Sequence, residues 1–328
     1  MNNTTVLPDL ATADSRRSTF GITDALLVLT AIIWGVNVVL VKVSLAQLGP
    51  LPFNSLRFLL AAGLSWSLLR ITEPKSRVNR QDIPTLVGLG LLGHSLYQIL
   101  FISGINLSTA GNTSLLLATT PIWVAVLSGV FGLERLLPRA WGGILLSFSG
   151  IFLVTIGGGK QISFASGSSL GDLMILLGTF VFAIYTIRSK PLLGRYSPLQ
   201  FSTYTMIPGA VGLGIVSVPS LLKQDFSAVS LSGWGGLLYS GIFAIVIGYY
   251  VWNNGVQKLG AARTAIYSNL SPIVAMIFGV IILQEHISLP QLTGAALIVT
   301  GLYVTRSSKS KIRQYSKSYT RRGGMKCP

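Results

Sequence analysis

The stretch TSLLLATTPIWVAVLSGVFGLE (113–134) returns 151 residues further on as TAIYSNLSPIVAMIFGVIILQE (264–285), with threonine, proline and glutamate in the same places. Each copy is free of charge until its closing residue, Glu134 or Glu285. A helix of that length, at ~1.5 Å per residue, covers the ~30 Å hydrocarbon core of a bilayer. The central proline, Pro121 or Pro272, removes one helical hydrogen bond and leaves the carbonyl of Leu117 or Ser268 without its donor. The pair therefore reads as one broken membrane helix present twice.

The rest of the chain agrees with that reading. Only 10% of the 328 residues are charged, against about 25% in soluble domains. Nine Asp and Glu cannot coat a soluble surface. Apolar runs lie near 24–45, 51–69, 83–105, 112–133, 139–157, 170–188, 199–219, 233–256, 264–285 and 290–305, each bounded by polar turns or by breakers such as Gly49-Pro50 and Ser197-Pro198. They are too long and too continuous for barrel strands. The expected fold is an all-α integral membrane protein of ten transmembrane helices.

Charge sets the expected orientation. Of the 25 Lys and Arg, all but Lys42, Arg57, Lys160 and Lys223 fall at alternate helix ends or in the tails. Short cytoplasmic loops retain such an excess, so both termini are expected in the cytoplasm. The net charge of +16 then reflects topology and lipid headgroups, not nucleic acid. Arg16-Arg17 resembles a twin-arginine export signal, but a full span follows it and no small-residue cleavage site does. A lone cysteine, Cys327, excludes a disulfide framework and a CxxC metal or redox site, and no cofactor is expected.

The repeat extends beyond the opening stretch. Asp24, Lys42, Pro50 and Phe53 recur 148 residues on as Asp172, Lys190, Pro198 and Phe201. Past an insertion, Gly104, Thr113, Pro121, Gly143 and Gly150 recur as Gly255, Thr264, Pro272, Gly294 and Gly301. This divides the chain into a tail (1–21), a five-helix half (22–158), a second half (159–305) and a basic tail (306–328). Five is odd, so the halves cross the membrane in opposite senses. Inverted repeats let a central site open alternately to each side, which points to transport.

Alongside this, the chain resembles the drug/metabolite transporter superfamily, specifically its EamA-type ten-helix permeases. The resemblance rests on Ala31-Ile32-Ile33-Trp34-Gly35-Val36-Asn37, Leu56-Arg57-Phe58, Pro121 with Gly132-Leu133-Glu134, and Pro272 with Gln284-Glu285, and covers about 22–305. It implies a carrier of small metabolites, often an amino-acid or related exporter, in a bacterial inner membrane.

Ionisable groups deep in a span are functional candidates by default, and Arg57 and His94 are the two here. Arg57 reads either as a fork for a substrate carboxylate or as a structural arginine bonding helix-end carbonyls. His94 reads either as a proton shuttle or as a hydrogen-bonded packing residue. Broken helices mark the central site of inverted-repeat carriers, which adds Thr120, Pro121, Ser271 and Pro272, although hydroxylated residues also allow close helix packing. Trp34 with Asn37, His94 with Tyr97 and Gln98, and Tyr249 with Asn253 share helix faces, a combination that suits a partly apolar molecule with a polar head.

All nine acids lie in tails, loops or helix ends. This departs from the small multidrug exporters of the superfamily, and a single buried arginine is too little for a phosphate-bearing cargo. A neutral or zwitterionic metabolite is expected as the small-molecule partner, with monomer or homodimer left open. Gly159-Lys160-Gln161 lacks the pattern of a phosphate loop. A membrane-embedded enzyme or sensor is the rival reading, with His94 as its sole candidate base. Two charge pairs are expected as gates: Lys42 with Glu285 outside, and Glu134 with Lys190 inside.

Overall fold

The computed structural model describes residues 20–108, 110–132, 134–157, 169–274, 277, 288–308 and 310–312. Its elements in chain order are α1 (Ile22–Leu45), α2 (Pro50–Thr72), α3 (Ile83–Gly90), α4 (Tyr97–Leu107), α5 (Ala110–Leu117), α6 (Thr120–Val130), β1 (Glu134–Leu136), α7 (Pro138–Gly157), α8 (Ser169–Leu193), α9 (Pro198–Leu221), α10 (Leu231–Tyr239), α11 (Gly248–Leu259), α12 (Ala261–Ala265), α13 (Leu289–Ser307) and β2 (Ser310–Ile312). Among the described residues six stretches are long and apolar enough to cross a membrane: Ile22–Leu45, Arg80–Leu107, Pro138–Gly157, Ser169–Leu193, Pro198–Leu221 and Leu231–Leu259. Among the described residues the only strands are β1 and β2, a short antiparallel pair with no counterpart in the sequence analysis.

Local chemistry fixes the boundaries. Prolines stand in the first turns of α2, α9 and α13, where a missing N–H costs nothing. Ser197 caps α9 by accepting from the Gln200 N–H at 3.0 Å. Ser288 and Gln291 form a reciprocal capping box at the start of α13.

Four interruptions lie inside the helical runs. α5 and α6 are separated by a turn at Ala118-Thr119, one residue before the Thr120-Pro121 start of α6. Thr120 Oγ1 donates to the Leu117 carbonyl at 2.7 Å, taking the place of the amide that Pro121 lacks. After α12 the chain tightens into a 3₁₀ turn, Ile266–Leu270, and the Ser271 N–H reaches the Ser268 carbonyl. The remaining two are π-helical segments, Leu91–Leu96 between α3 and α4 and Ser240–Ile247 between α10 and α11. Each widens its helix at about the same place in its half of the chain.

Packing relies on small residues, because lipid supplies no hydrophobic drive between helices. α7 lies against α13 through glycine on both sides. A Cβ on Gly150 would stand 2.5 Å from the Gly294 carbonyl oxygen, and one on Gly294 2.5 Å from the Gly150 oxygen. Gly143 and Gly301 meet in the same way two turns along. α2 packs along α9, where Thr203 Oγ1 donates to the Ser65 carbonyl at 3.3 Å.

One expectation is corrected here. Arg306 was assigned to the solvated basic tail, but α13 runs on to Ser307 and buries it. Its Nε donates to Asp24 Oδ1 at 2.5 Å and its Nη2 to Oδ2 at 3.1 Å, while Tyr267 donates to the same carboxylate. The pair forms because Asp24 sits in the first turn of α1, where the end of α13 meets it.

Gly294→Ala is expected to destabilise the protein by about 1–3 kcal/mol, the cost of overpacking a tight contact. Gly142→Ala, on the exposed face of α7 with nothing within 4 Å of the new Cβ, is expected to leave stability unchanged or slightly raised. Thermal unfolding in detergent compares the two.

Candidate functional site

Arg57, in the middle of α2, is 2% exposed. Its Nε and Nη2 both donate to Asn54 Oδ1, at 2.8 and 2.6 Å, one helical turn earlier. Nη2 also donates to Gln98 Oε1 on α4 at 2.9 Å, and Nη1 donates to Ser240 Oγ at 2.7 Å. The guanidinium carbon lies 4.9 Å from the Phe53 ring centroid and 5.9 Å from that of Phe58. The arginine thus joins α2, α4 and the second π segment, and four of its five N–H groups are committed. Among the described residues every one of those acceptors is neutral. A charge withdrawn from water without a counter-ion costs on the order of several kcal/mol, which hydrogen bonds to neutral oxygens only partly offset.

The network continues through Gln98, whose Nε2 donates to Tyr249 OH at 3.3 Å. Tyr249 lies against His94, ring centroids 4.7 Å apart, and His94 also contacts Tyr185 at 5.1 Å and Phe58 at 5.8 Å. His94 Nε2 is 3.1 Å from Thr205 Oγ1, while Nδ1 is buried with no partner among the described residues. Asn253 Nδ2 donates to Ser202 Oγ at 2.8 Å and to Tyr185 OH at 3.3 Å, and its Oδ1 is also unpartnered. Trp34 joins from α1: its ring is 5.3 Å from that of Trp252, and its Nε1 donates to the Ala244 carbonyl in the second π segment at 2.9 Å. A narrow cleft, too tight to hold a water, adjoins this pair and is lined also by Thr30, Tyr267 and Ser268.

The structure therefore gathers Arg57, Gln98, Tyr249, His94, Asn253 and Trp34 into one buried cluster. Other expected residues lie apart from that network. Thr120 and Ser271 donate to the Leu117 and Ala31 carbonyls, so these hydroxyls repair or bridge backbone. Pro121 and Pro272 act as breakers beside them. Asn37 is partly buried on α1 with Oδ1 unpartnered and no bond to the cluster. Glu285 and the side chains of Lys42 and Glu134 lie outside the described residues, and Lys190 is partly buried near the end of α8.

Sequence reasoning missed Asn54, Ser240, Tyr185, Ser202 and Thr205. A signal for three of them was present in the repeat. In its register Asn54 corresponds to Ser202 and Arg57 to Thr205, an amide and a guanidinium in one copy and two hydroxyls in the other. In the register of Gly104 and Gly255, Gln98 corresponds to Tyr249. These two residues bond to each other.

Each described acid has a partner outside this cluster. Asp24 pairs with Arg306 and Asp82 with Arg195, while Glu73 accepts from Ser197, Asp172 from Ser108 and Asp225 from Ser227. Nor does His94 meet a serine nucleophile, since its hydroxyl partner is Thr205.

Comparison with known proteins places this arrangement. The sequence model described as the EamA-like transporter family matches the chain twice, over residues 21–156 and 169–307. The chain is 29% identical to the uncharacterized transporter YyaM of Bacillus subtilis (strain 168), over 87% of this chain and 93% of that protein. It is 27% identical to a probable terminal-alkyne amino-acid exporter of Streptantibioticus cattleyicolor, over 88% and 95%. It is also 27% identical to a probable amino-acid metabolite efflux pump of Escherichia coli (strain K12), over 85% and 93%. A solved crystal structure shares the fold with a TM-score of 0.71 at 20% identity, covering 85% of this chain and 94% of that one. The chain is a member of the EamA-like transporter family, within the drug/metabolite transporter superfamily.

Proposed function

We propose that the chain is a secondary transporter of a small neutral or zwitterionic metabolite, an amino acid or a related carboxylate-bearing compound, exported across a bacterial inner membrane by alternating access. Its ten helices form two inverted five-helix halves, 22–158 and 159–305, and both termini face the cytoplasm. The names of the amino-acid exporters among its relatives support the cargo class.

The observation that carries the mechanism is a pair of loop clasps at the two ends of α2 and α9. At one end Arg195 Nη1 lies 2.9 Å from Asp82 Oδ2, Tyr196 OH donates to the same oxygen at 2.6 Å, and Ser197 Oγ donates to Glu73 Oε1 at 2.7 Å. Burial, and next the bond to Asp82, push the Tyr196 hydroxyl above its ordinary pKa, so it stays a donor. At the other end the Ser230 N–H and hydroxyl both reach Gln47 Oε1 at 2.8 Å, and the Gly49 N–H reaches Gln224 Oε1 at 2.8 Å. The repeat makes Asp82 equivalent to Ser230 and Arg195 to Gln47. Exchanging the halves therefore turns one clasp into the other, as a carrier that closes each face in turn requires. In this reading the clasps take the gating role; Lys42 with Glu285 and Glu134 with Lys190 remain further candidates.

Two experiments test this. In a Cys327→Ser background, Asp82→Cys and Arg195→Cys are bridged by a short bis-maleimide, and labelled amino-acid uptake into proteoliposomes is followed. Bridging is expected to stop transport while either cysteine alone, equally treated, has little effect; a bridged carrier running at the unbridged rate contradicts the gate. In the unmodified chain Cys327, its single cysteine, is expected to react with an impermeant maleimide only after cells are permeabilised. Labelling in intact cells reverses the orientation.

A further inference from the structure

We infer that the Arg57 cluster selects its cargo through the carboxylate alone, so that monocarboxylates lacking an amino group belong to the substrate class and bind at least as tightly as the matching amino acids. This rests on the reading that the cluster holds the carrier's cargo and goes beyond it by naming the group that is recognised, which widens the cargo from neutral and zwitterionic compounds to anionic carboxylates.

The argument starts from charge. Arg57 brings a fixed positive charge into the core, and its acceptors Asn54, Gln98 and Ser240 are neutral. One N–H, on Nη1, is uncommitted. A carboxylate arriving there supplies both the missing acceptor and the missing counter-charge, and in a water-poor site that pairing gains strength from the low dielectric. Among the described residues nothing similar awaits an ammonium. Asp24, Glu73, Asp82, Asp172 and Asp225 are each engaged at a helix end or loop. The buried acceptor-capable atoms without a partner in the cluster, Asn253 Oδ1 and His94 Nδ1, belong to neutral side chains, and a hydroxyl or amide serves them as well as an ammonium does. In an α-amino acid the ammonium is one carbon from the carboxylate, so it approaches the guanidinium and is repelled by it. The side chains packed around the guanidinium are aromatic, with Phe53 and Phe58 against it and Phe182 in contact with both Tyr249 and Trp252, surroundings that suit an apolar or aromatic body.

The test uses four probes with one body: 3-phenylpropionate, L-phenylalanine, phenethylamine and 3-phenylpropionamide. Binding is read by isothermal titration on the purified carrier, and transport of the two carboxylates by counterflow in proteoliposomes. Phenylpropionate is expected to bind as tightly as phenylalanine or several-fold tighter, with phenethylamine and the amide at least tenfold weaker than either. Gln98→Glu sets a carboxylate in the place of the amide oxygen that Arg57 now meets at 2.9 Å. It is expected to raise the thermal unfolding midpoint and to weaken phenylpropionate at least tenfold, whereas Arg57→Lys keeps part of the binding. If phenylalanine binds and is carried while phenylpropionate does neither, the cargo reading stands and this inference falls. If neither carboxylate binds or is carried, both fall. Unchanged phenylpropionate binding in a folded Gln98→Glu carrier removes Arg57 from recognition and overturns the inference.

Discussion

Inside a bilayer no water is at hand to satisfy a backbone amide or carbonyl, so every departure from helix must be repaired from within the protein. This constraint governs where the chain can bend and what surrounds each bend. Pro121 frees the Leu117 carbonyl, and Thr120 fills it; Pro272 does the same to Ser268, and the 3₁₀ bond from Ser271 answers. The second π segment turns Ser240 toward Arg57 and the Ala244 carbonyl toward Trp34, and the first carries His94. The π-helical backbone and the polar cluster occupy the same part of the molecule, whereas the proline breaks are repaired apart from it.

The cluster that results is unbalanced by design of its residues. Hydrogen bonding is nearly complete around Arg57, but charge is not, and a few atoms of His94, Asn253 and Trp252 stay unpartnered in the described structure. Polar groups left in this condition favour whatever ligand completes them. Around them the scaffold is held tightly, by glycine contacts between α7 and α13 and by the buried Asp24–Arg306 pair. The clasps are different in kind. They are made by loops, partly exposed, and an exposed ion pair such as that of Arg195 contributes only about 0–1 kcal/mol. Small energies of that order suit contacts that must break and reform in a working cycle.

The helical membrane fold was legible in the sequence because span length and scarcity of charge are one-dimensional properties. The breaks at Pro121 and Pro272 were legible for the same reason, since proline acts on its own helix. Arg57 and His94 stood out as ionisable groups in apolar runs, but their partners did not: Asn54, Ser202 and Thr205 are small polar residues of a kind scattered throughout the chain. Only tertiary packing, or use of the repeat to pair positions, separates them from the rest. Arg306 was misjudged because a basic residue beside a basic tail reads as solvated until the end of α13 is seen against Asp24. The π segments left no compositional mark at all.

The central claim is that the two faces open alternately. Double electron–electron resonance measures it directly in a Cys327→Ser background, with spin labels at Lys75→Cys and Gly194→Cys across one clasp, and in a second protein at Ala46→Cys and Ser227→Cys across the other. Each pair is expected to show a short and a long distance, and added substrate or a shift of lipid composition is expected to lengthen one pair as it shortens the other. Single, unmoving distances at both ends, or lengthening at both together, would contradict the account.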